Sequence, residues 1–131
     1  MIVCKFGGTS VGDAEAIRRT ASIIGNRVDR QPIVVVSALG GTTNTLIALA
    51  EQAARGQLIG ALRAVEGLRE RHLREASTLL GDDDTARDIA TELSGMFDEL
   101  ASLAEALSVL GDLTPRSLDA VAAFGESLSS I

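Results

Sequence analysis

The chain has 131 residues, 46% of them apolar, 23% charged and 2% aromatic, with a formal net charge of −6. That length predicts one ordinary domain, and ample aliphatic content excludes a disordered chain. Two prolines and thirteen glycines without a period exclude collagen-like and low-complexity filaments. No apolar run approaches the roughly 20 residues of a membrane span.

The opening Met1-Ile-Val-Cys-Lys5 has no basic stretch leading into an apolar one, so no secretory signal is expected. A single cysteine, Cys4, makes no internal disulfide, which fits a reducing, cytoplasmic setting. Residues 1–44 carry five basic and three acidic side chains, a balance of +2, and the remainder carry seven and fifteen, giving −8. The acidic half argues against a nucleic-acid partner and directs any anion site toward the N-terminus.

In chain order, Ile2–Phe6 reads as a short β-branched strand, with Cys4 as a small buried apolar residue. A helix is expected from about Asp13, its N-cap, to Asp29, with Ile17, Ala21, Ile24 and Val28 as the apolar stripe. Ile33–Ser37 reads as a second strand, apolar on both faces like an interior strand of a parallel sheet. Strand, helix, strand makes a right-handed βαβ unit and an α/β class. A second helix follows to about Arg55, closed by Gly56. From Leu58 the pattern is helical to about Leu80, is broken by Gly81-Asp-Asp-Asp84, and then resumes. Ile89, Leu93, Met96, Leu100, Leu103, Leu107 and Leu110 give a 4-3-4-3-4-3 seam, as in a long helical hairpin. Thr114-Pro115 restarts a helix as N-cap and first residue, and that helix is expected to be still running at Ile131. His72, among Arg69, Arg71 and Arg74, reads as a surface histidine. Asp82, Asp83 and Asp84 read as a solvated helix cap, with a metal cluster as the alternative.

Three segments carry candidate chemistry. Lys5-Phe-Gly-Gly-Thr-Ser-Val-Gly12 joins a strand to a helix. Its glycines let backbone N–H groups approach a ligand, the helix N-terminus favours an anion, and Lys5, Thr9 and Ser10 add donors. At ~4 Å and an effective dielectric of about 20, one ammonium–phosphate pair is worth roughly 4 kcal/mol before desolvation. The string fits neither the Walker nor the dinucleotide fingerprint, so a phosphate loop and a plain turn both stand. Ser37-Ala-Leu-Gly-Gly-Thr-Thr-Asn44 opens at the same sheet edge, as a ligand turn or as a turn capped by Thr42 or Thr43. In Phe124-Gly-Glu-Ser-Leu-Ser-Ser130, Glu126 is either a solvated carboxylate or an acceptor for a ligand ammonium.

Together these segments resemble the aspartate kinases of the amino-acid kinase superfamily. Lys5-Phe-Gly-Gly-Thr-Ser-Val11 is identical to their opening signature. Val36-Ser-Ala-Leu-Gly-Gly-Thr-Thr-Asn44 looks like their second motif. Leu113-Thr-Pro-Arg-Ser-Leu-Asp-Ala120 with Phe124–Ser130 looks like their third. The resemblance implies the front part of a three-layer α/β sandwich with a parallel-type sheet core and an inserted long helical hairpin. Residues 1–131 would be the N-terminal part of the kinase domain: a βαβα start over 1–56, the hairpin over 57–112 and an incomplete substrate-binding helix over 113–131.

By the same resemblance, Lys5 would be catalytic, and Lys5, Gly7, Gly8, Thr9, Ser10, Gly40 and Gly41 would bind the ATP phosphates. Ser37, Thr43 and Glu126 would bind aspartate, Glu126 through the α-ammonium. The family transfers the ATP γ-phosphate to the β-carboxylate of L-aspartate, the first step toward lysine, threonine and methionine. A carboxylate nucleophile is already ionised at pH 7 and needs no general base. The cofactor implied is ATP with Mg²⁺ as the substrate complex, with no protein metal ligand. A full-length homo-oligomer is also implied, with ACT or homoserine dehydrogenase segments in some members. The 131 residues alone would lack much of the ATP pocket and be inactive. Another carboxylate-phosphorylating amino-acid kinase, or a non-catalytic binding module, is the alternative.

Overall fold

The two β-branched runs pair as expected. In the computed structural model, which describes residues 1–131, β1 (Ile2–Phe6) and β2 (Pro32–Val36) form a two-stranded parallel sheet. The register runs from Ile2 opposite Pro32 to Phe6 opposite Val36. Helices α1 (Ala14–Gly25), α2 (Thr42–Ala54), α3 (Leu58–Leu80), α4 (Asp84–Leu110), α5 (Pro115–Ala122) and α6 (Phe124–Ser129) make up the rest, with a 3₁₀ turn at Val28–Arg30. No helix is long and apolar enough to cross a membrane.

The ends of the helices follow their local chemistry. Asp13 caps α1 by accepting from Ala16 N at 2.8 Å, and Asp83 caps α4 by accepting from Ala86 N at 2.8 Å. Of the three consecutive aspartates, then, it is Asp83 that serves as the cap. Thr114 and Ser117 form a reciprocal capping box at α5, with Pro115 in the first turn. Gly56, Gly81 and Gly111, all at positive φ, follow the ends of α2, α3 and α4.

The core is a helical one. Its main cluster draws Leu46, Leu49, Ala50 and Ala53 from α2, Ala61, Val65 and Leu68 from α3, and Leu93, Phe97, Leu100, Ala104 and Leu107 from α4. Val121 and Leu128 complete it. Each large side chain fully removed from water there contributes about 1.5–3 kcal/mol. Helices α3 and α4 pack as the expected hairpin, with His72 edge-on to Phe97 at 5.3 Å between ring centroids. Arg69 crosses the same pair, lying 5.7 Å from the Phe97 centroid and donating to Asp98 at 2.7 Å.

Several expectations are corrected. The buried stripe of α4 is Leu93, Phe97, Leu100, Ala104 and Leu107, so Phe97 and Ala104 displace Met96 and Leu103, which are half-buried, while Leu110 is exposed. The 4-3 period holds, but the seam turns by one residue at 97 and 104, which join the cluster shared with α2 and α3. Helix α1 stops at Gly25 and buries Ala14, Ala16 and Thr20, leaving Ala21 and Val28 exposed. Strand β2 is not covered on either face: Ile33, Val34 and Val35 are exposed because the helices bury their apolar stripes against one another. Cys4 is half-buried for the same reason. The last helix does not run unbroken to Ile131; it ends at Ala122 and resumes at Phe124.

His72 is the clearest departure: it is 3% exposed, not a surface residue. It continues the α3 stripe of Ala61, Val65 and Leu68 at the same 4-3-4 spacing. Its Nδ1 lies 2.7 Å from the Leu68 carbonyl oxygen, which fixes the proton on Nδ1 and leaves Nε2 buried without a partner. Burial pushes its pKa below the usual histidine value, against the Leu68 hydrogen bond; Arg71 lowers it further and Glu75 opposes that. Because the folded pKa is the lower one, the unfolded chain takes up the proton first as pH falls. Stability should be full above about pH 6.5 and decline below it, by up to ~1.4 kcal/mol per pH unit until the folded pKa is reached. Urea melts between pH 7.5 and 5 should show this slope in the wild type and a shallower one in His72→Phe. Equal slopes would remove His72 as the cause.

Candidate functional site

Both glycine turns leave the carboxyl ends of paired parallel strands, so the register itself brings them side by side. Ser37 N donates to the Phe6 carbonyl at 3.0 Å, extending the ladder one step past the strands. A Cβ placed on Gly8 would stand 3.5 Å from the Ala38 carbonyl oxygen, 3.8 Å from Gly40 Cα and 4.0 Å from Ser37 Oγ. One placed on Gly40 would stand 3.5 Å from the Gly8 carbonyl oxygen and 3.8 Å from Gly12 Cα. The backbones of the two turns are therefore in contact. Gly41 begins α2 at φ +82°, a conformation that favours glycine over any residue with a Cβ.

The third segment docks onto the second. Gly125 is buried in α6, where a Cβ would meet Ala38 Cβ at 2.8 Å and Leu46 Cδ1 at 3.3 Å. Ser129 Oγ donates to the Ser37 carbonyl at 2.6 Å, tying α6 to the mouth of the second turn. Glu126, next to Gly125, is exposed at this junction.

The sequence candidates thus fall into two groups. Gly8, Ser37 and Gly40 lie side by side across the turns, close enough that a Cβ on Gly8 would reach the other two, with Gly41 at the start of α2. Lys5, Gly7 and Thr9 are exposed, Ser10 and Thr43 are half-buried, and the side chains of Lys5, Thr9, Ser10 and Thr43 make no hydrogen bond inside the chain. Ser10 contributes its carbonyl, which accepts from Thr20 Oγ1 at 2.8 Å. Thr42, not Thr43, is the fully buried threonine of this turn, and its Oγ1 has no partner.

Sequence reasoning missed the helix that holds these turns. Arg71, on α3, donates from Nη1 to the Gly40 carbonyl at 2.6 Å and from Nη2 to the Gly12 carbonyl at 3.0 Å. One turn further along, Glu75 accepts from Ala14 N at 2.9 Å, and then the Thr78 carbonyl accepts from Arg18. The sequence carries only a faint trace of this, Arg71 and Glu75 one turn apart on α3, because their partners and Thr78 take part through the backbone. A cavity of about 300 Å³, mostly apolar, is lined by Ile17, Leu39, His72, Leu128 and Ile131 among others, but by none of the glycines of the turns. The turns instead present an open polar surface, the shape expected for holding charged groups by backbone donors.

A family model described as the amino acid kinase family matches residues 1–130. The chain is 35% identical over 130 residues to aspartokinase 2, chloroplastic, of Arabidopsis thaliana, covering 98% of this chain and 23% of that protein. It is 31% identical to lysine-sensitive aspartokinase 3 of Escherichia coli, covering 100% of this chain and 27% of that protein. Among solved structures, E. coli aspartokinase III with lysine and aspartate superposes with a TM-score of 0.80 at 29% identity. That match spans 99% of this chain and 27% of the other. The same enzyme with aspartate and ADP gives 0.74 at 31% identity, with the same coverage. The chain therefore spans about a quarter of the length of these relatives.

The Gly125 contact yields a test. Gly125→Ala should lower stability by about 1–2 kcal/mol, because overpacking of about 1–3 kcal/mol outweighs alanine's helix preference of up to ~1 kcal/mol. Denaturant melts measure the loss, and amide shifts at Ala38–Gly41 should report the displaced turn. A variant as stable as the wild type would mean α6 is not seated as described.

Proposed function

The chain belongs to the amino acid kinase family, and from that premise we propose that it is the N-terminal part of an aspartate kinase. The observation that carries this reading is the joining of three signature segments at one place: Gly8 against Ser37 and Gly40, and α6 seated on Ala38 and Ser37. The relatives named as aspartokinases, and the solved relative holding aspartate and ADP, support the substrate assignment. The exposed apolar faces of β1 and β2 suit a sheet that continues into further strands and layers. Within it, segments 1–56, 57–112 and 113–131 supply the paired turns, the hairpin and the substrate-binding helix.

In this mechanism the β-carboxylate of L-aspartate attacks the γ-phosphorus of MgATP, giving 4-phospho-L-aspartate and ADP. Lys5, at the end of β1, neutralises charge on the transferring phosphoryl group. The N–H groups of Gly7, Gly8, Gly40 and Gly41, with the hydroxyls of Thr9 and Ser10, line the path of its oxygens. Ser37 and Thr43 contact the amino acid, and Glu126 receives its α-ammonium. The chain's contribution is thus positioning and charge neutralisation, and Mg²⁺ enters with the nucleotide.

An ADP-release assay with a panel of amino-acid carboxylates tests the reading. The complete enzyme should turn over with L-aspartate and not with glutamate or acetylglutamate, while residues 1–131 alone should be silent. Lys5→Ala should lower kcat by about 10²–10³-fold with little change in the melting temperature, since Lys5 is exposed. Turnover with another carboxylate alone would sink the substrate assignment, and near-normal turnover in the Lys5 variant would remove it from the mechanism.

A further inference from the structure

Arg71 reaches past its own helix to the backbone at two points that are equivalent in the βαβα pattern. Gly12 directly precedes Asp13, the N-cap of α1, and Gly40 directly precedes Gly41, the N-cap of α2. The two guanidinium bonds, at 3.0 and 2.6 Å, therefore hold the last peptide before each helix. All peptide bonds in the chain are trans, and in a trans peptide the C=O and N–H are antiparallel. The N–H groups of Asp13 and Gly41 consequently point away from Arg71. Neither has a hydrogen-bond partner within the chain. A carbonyl that accepts from a cation is polarised, which strengthens the N–H of the same peptide as a donor. Arg71 has no carboxylate partner, although Arg69, two residues away, has two. Its hydrogen bonds inside the chain go to these two peptides.

We propose that Arg71 is a positioning residue for phosphoryl transfer: through the Gly12 and Gly40 carbonyls it orients and polarises the Asp13 and Gly41 N–H groups as donors to the nucleotide phosphates. The inference rests on the kinase reading above and adds to it a residue on the hairpin, outside the three signature segments in sequence though bonded to two of them. It also gives the hairpin a part in the chemistry. A lysine at this place supplies a point charge without the planar fork, so it reaches one carbonyl and not both in fixed geometry.

The experiment compares wild type, Arg71→Met and Arg71→Lys in the complete enzyme. Arg71→Met should lower kcat on the order of 10²-fold, as expected when reacting groups are misplaced by about an ångström. KM for aspartate should change by less than about threefold, because the amino-acid contacts are elsewhere. Added guanidinium ion should restore part of kcat in Arg71→Met without raising its melting temperature. Arg71→Lys should recover the melting temperature and not kcat. A kcat within about threefold of wild type in Arg71→Met, or a full recovery of both quantities in Arg71→Lys, overturns the proposal. The second readout is independent of turnover: MgATP added to the wild type should move the amide signals of Asp13 and Gly41, and in Arg71→Met should not. Wild-type signals that stay fixed overturn the proposal even if aspartate is phosphorylated. If they move in an enzyme that does not phosphorylate aspartate, the substrate reading fails and the role of Arg71 at the phosphates stands.

Discussion

A single guanidinium joins the two turns on which the site is built. Arg71 binds the carbonyls of Gly12 and Gly40, so the entrances to α1 and α2 are fixed relative to α3, not only to each other. The strands alone would not do this. A two-stranded sheet is at best marginally stable in water, and here none of its residues is fully buried. The long helix α3 is held by the main apolar cluster on one side and presents Arg71, Glu75 and the Thr78 carbonyl to α1 and the turns on another. It transmits the rigidity of the helical body to a backbone that has little of its own.

The docking of α6 works in the same direction from the other end of the sequence. Gly125 allows α6 to approach Ala38 more closely than any side chain would permit, and Ser129 closes the contact at the Ser37 carbonyl. The Ser129–Ser37 bond bridges 92 residues of chain. The second turn is thus held by β2 before it, α2 after it, Arg71 beside it and α6 over it. The first turn, by comparison, relies on Gly8 touching its neighbour, on Arg71 and Glu75, and on Thr20 bonding back to the Ser10 carbonyl.

Much of this was legible in the sequence, for identifiable reasons. Caps and stops are local chemistry, so Asp13, Thr114, Pro115, Gly56 and Gly81 could be read directly. The parallel pairing followed from a βαβ spacing that admits few alternatives. Where reading failed, a tertiary choice between near-equivalent faces decided the outcome. In α4 the spacing allows a seam through Met96 and Leu103 or one rotated through Phe97 and Ala104, and packing into one cluster with α2 and α3 takes the second. His72 was misplaced because its three arginine neighbours suggested water, yet the stripe of Ala61, Val65 and Leu68 runs straight into it. The candidate site was legible as three motifs but not as a junction, since Arg71 and Ser129 act through backbone carbonyls, which carry no residue signature.

The uneven distribution of the core has a dynamic consequence. Local opening is easiest where apolar contacts are few, and the main cluster contains no residue from β1, β2 or α1. The glycine turns therefore belong to the less protected side of the molecule, although they carry the proposed phosphate donors. Preorganised donors accelerate a reaction only if they do not have to be reordered as charge develops. In this chain that order is supplied by groups outside the turns: a cation on α3, a carboxylate one helical turn later, and a glycine on α6 that permits close packing. The hairpin, which looked like plain packing, is thereby a condition for the geometry of the turns, and the acidic, helix-rich half of the chain supports the small basic half in which the proposed phosphate chemistry resides.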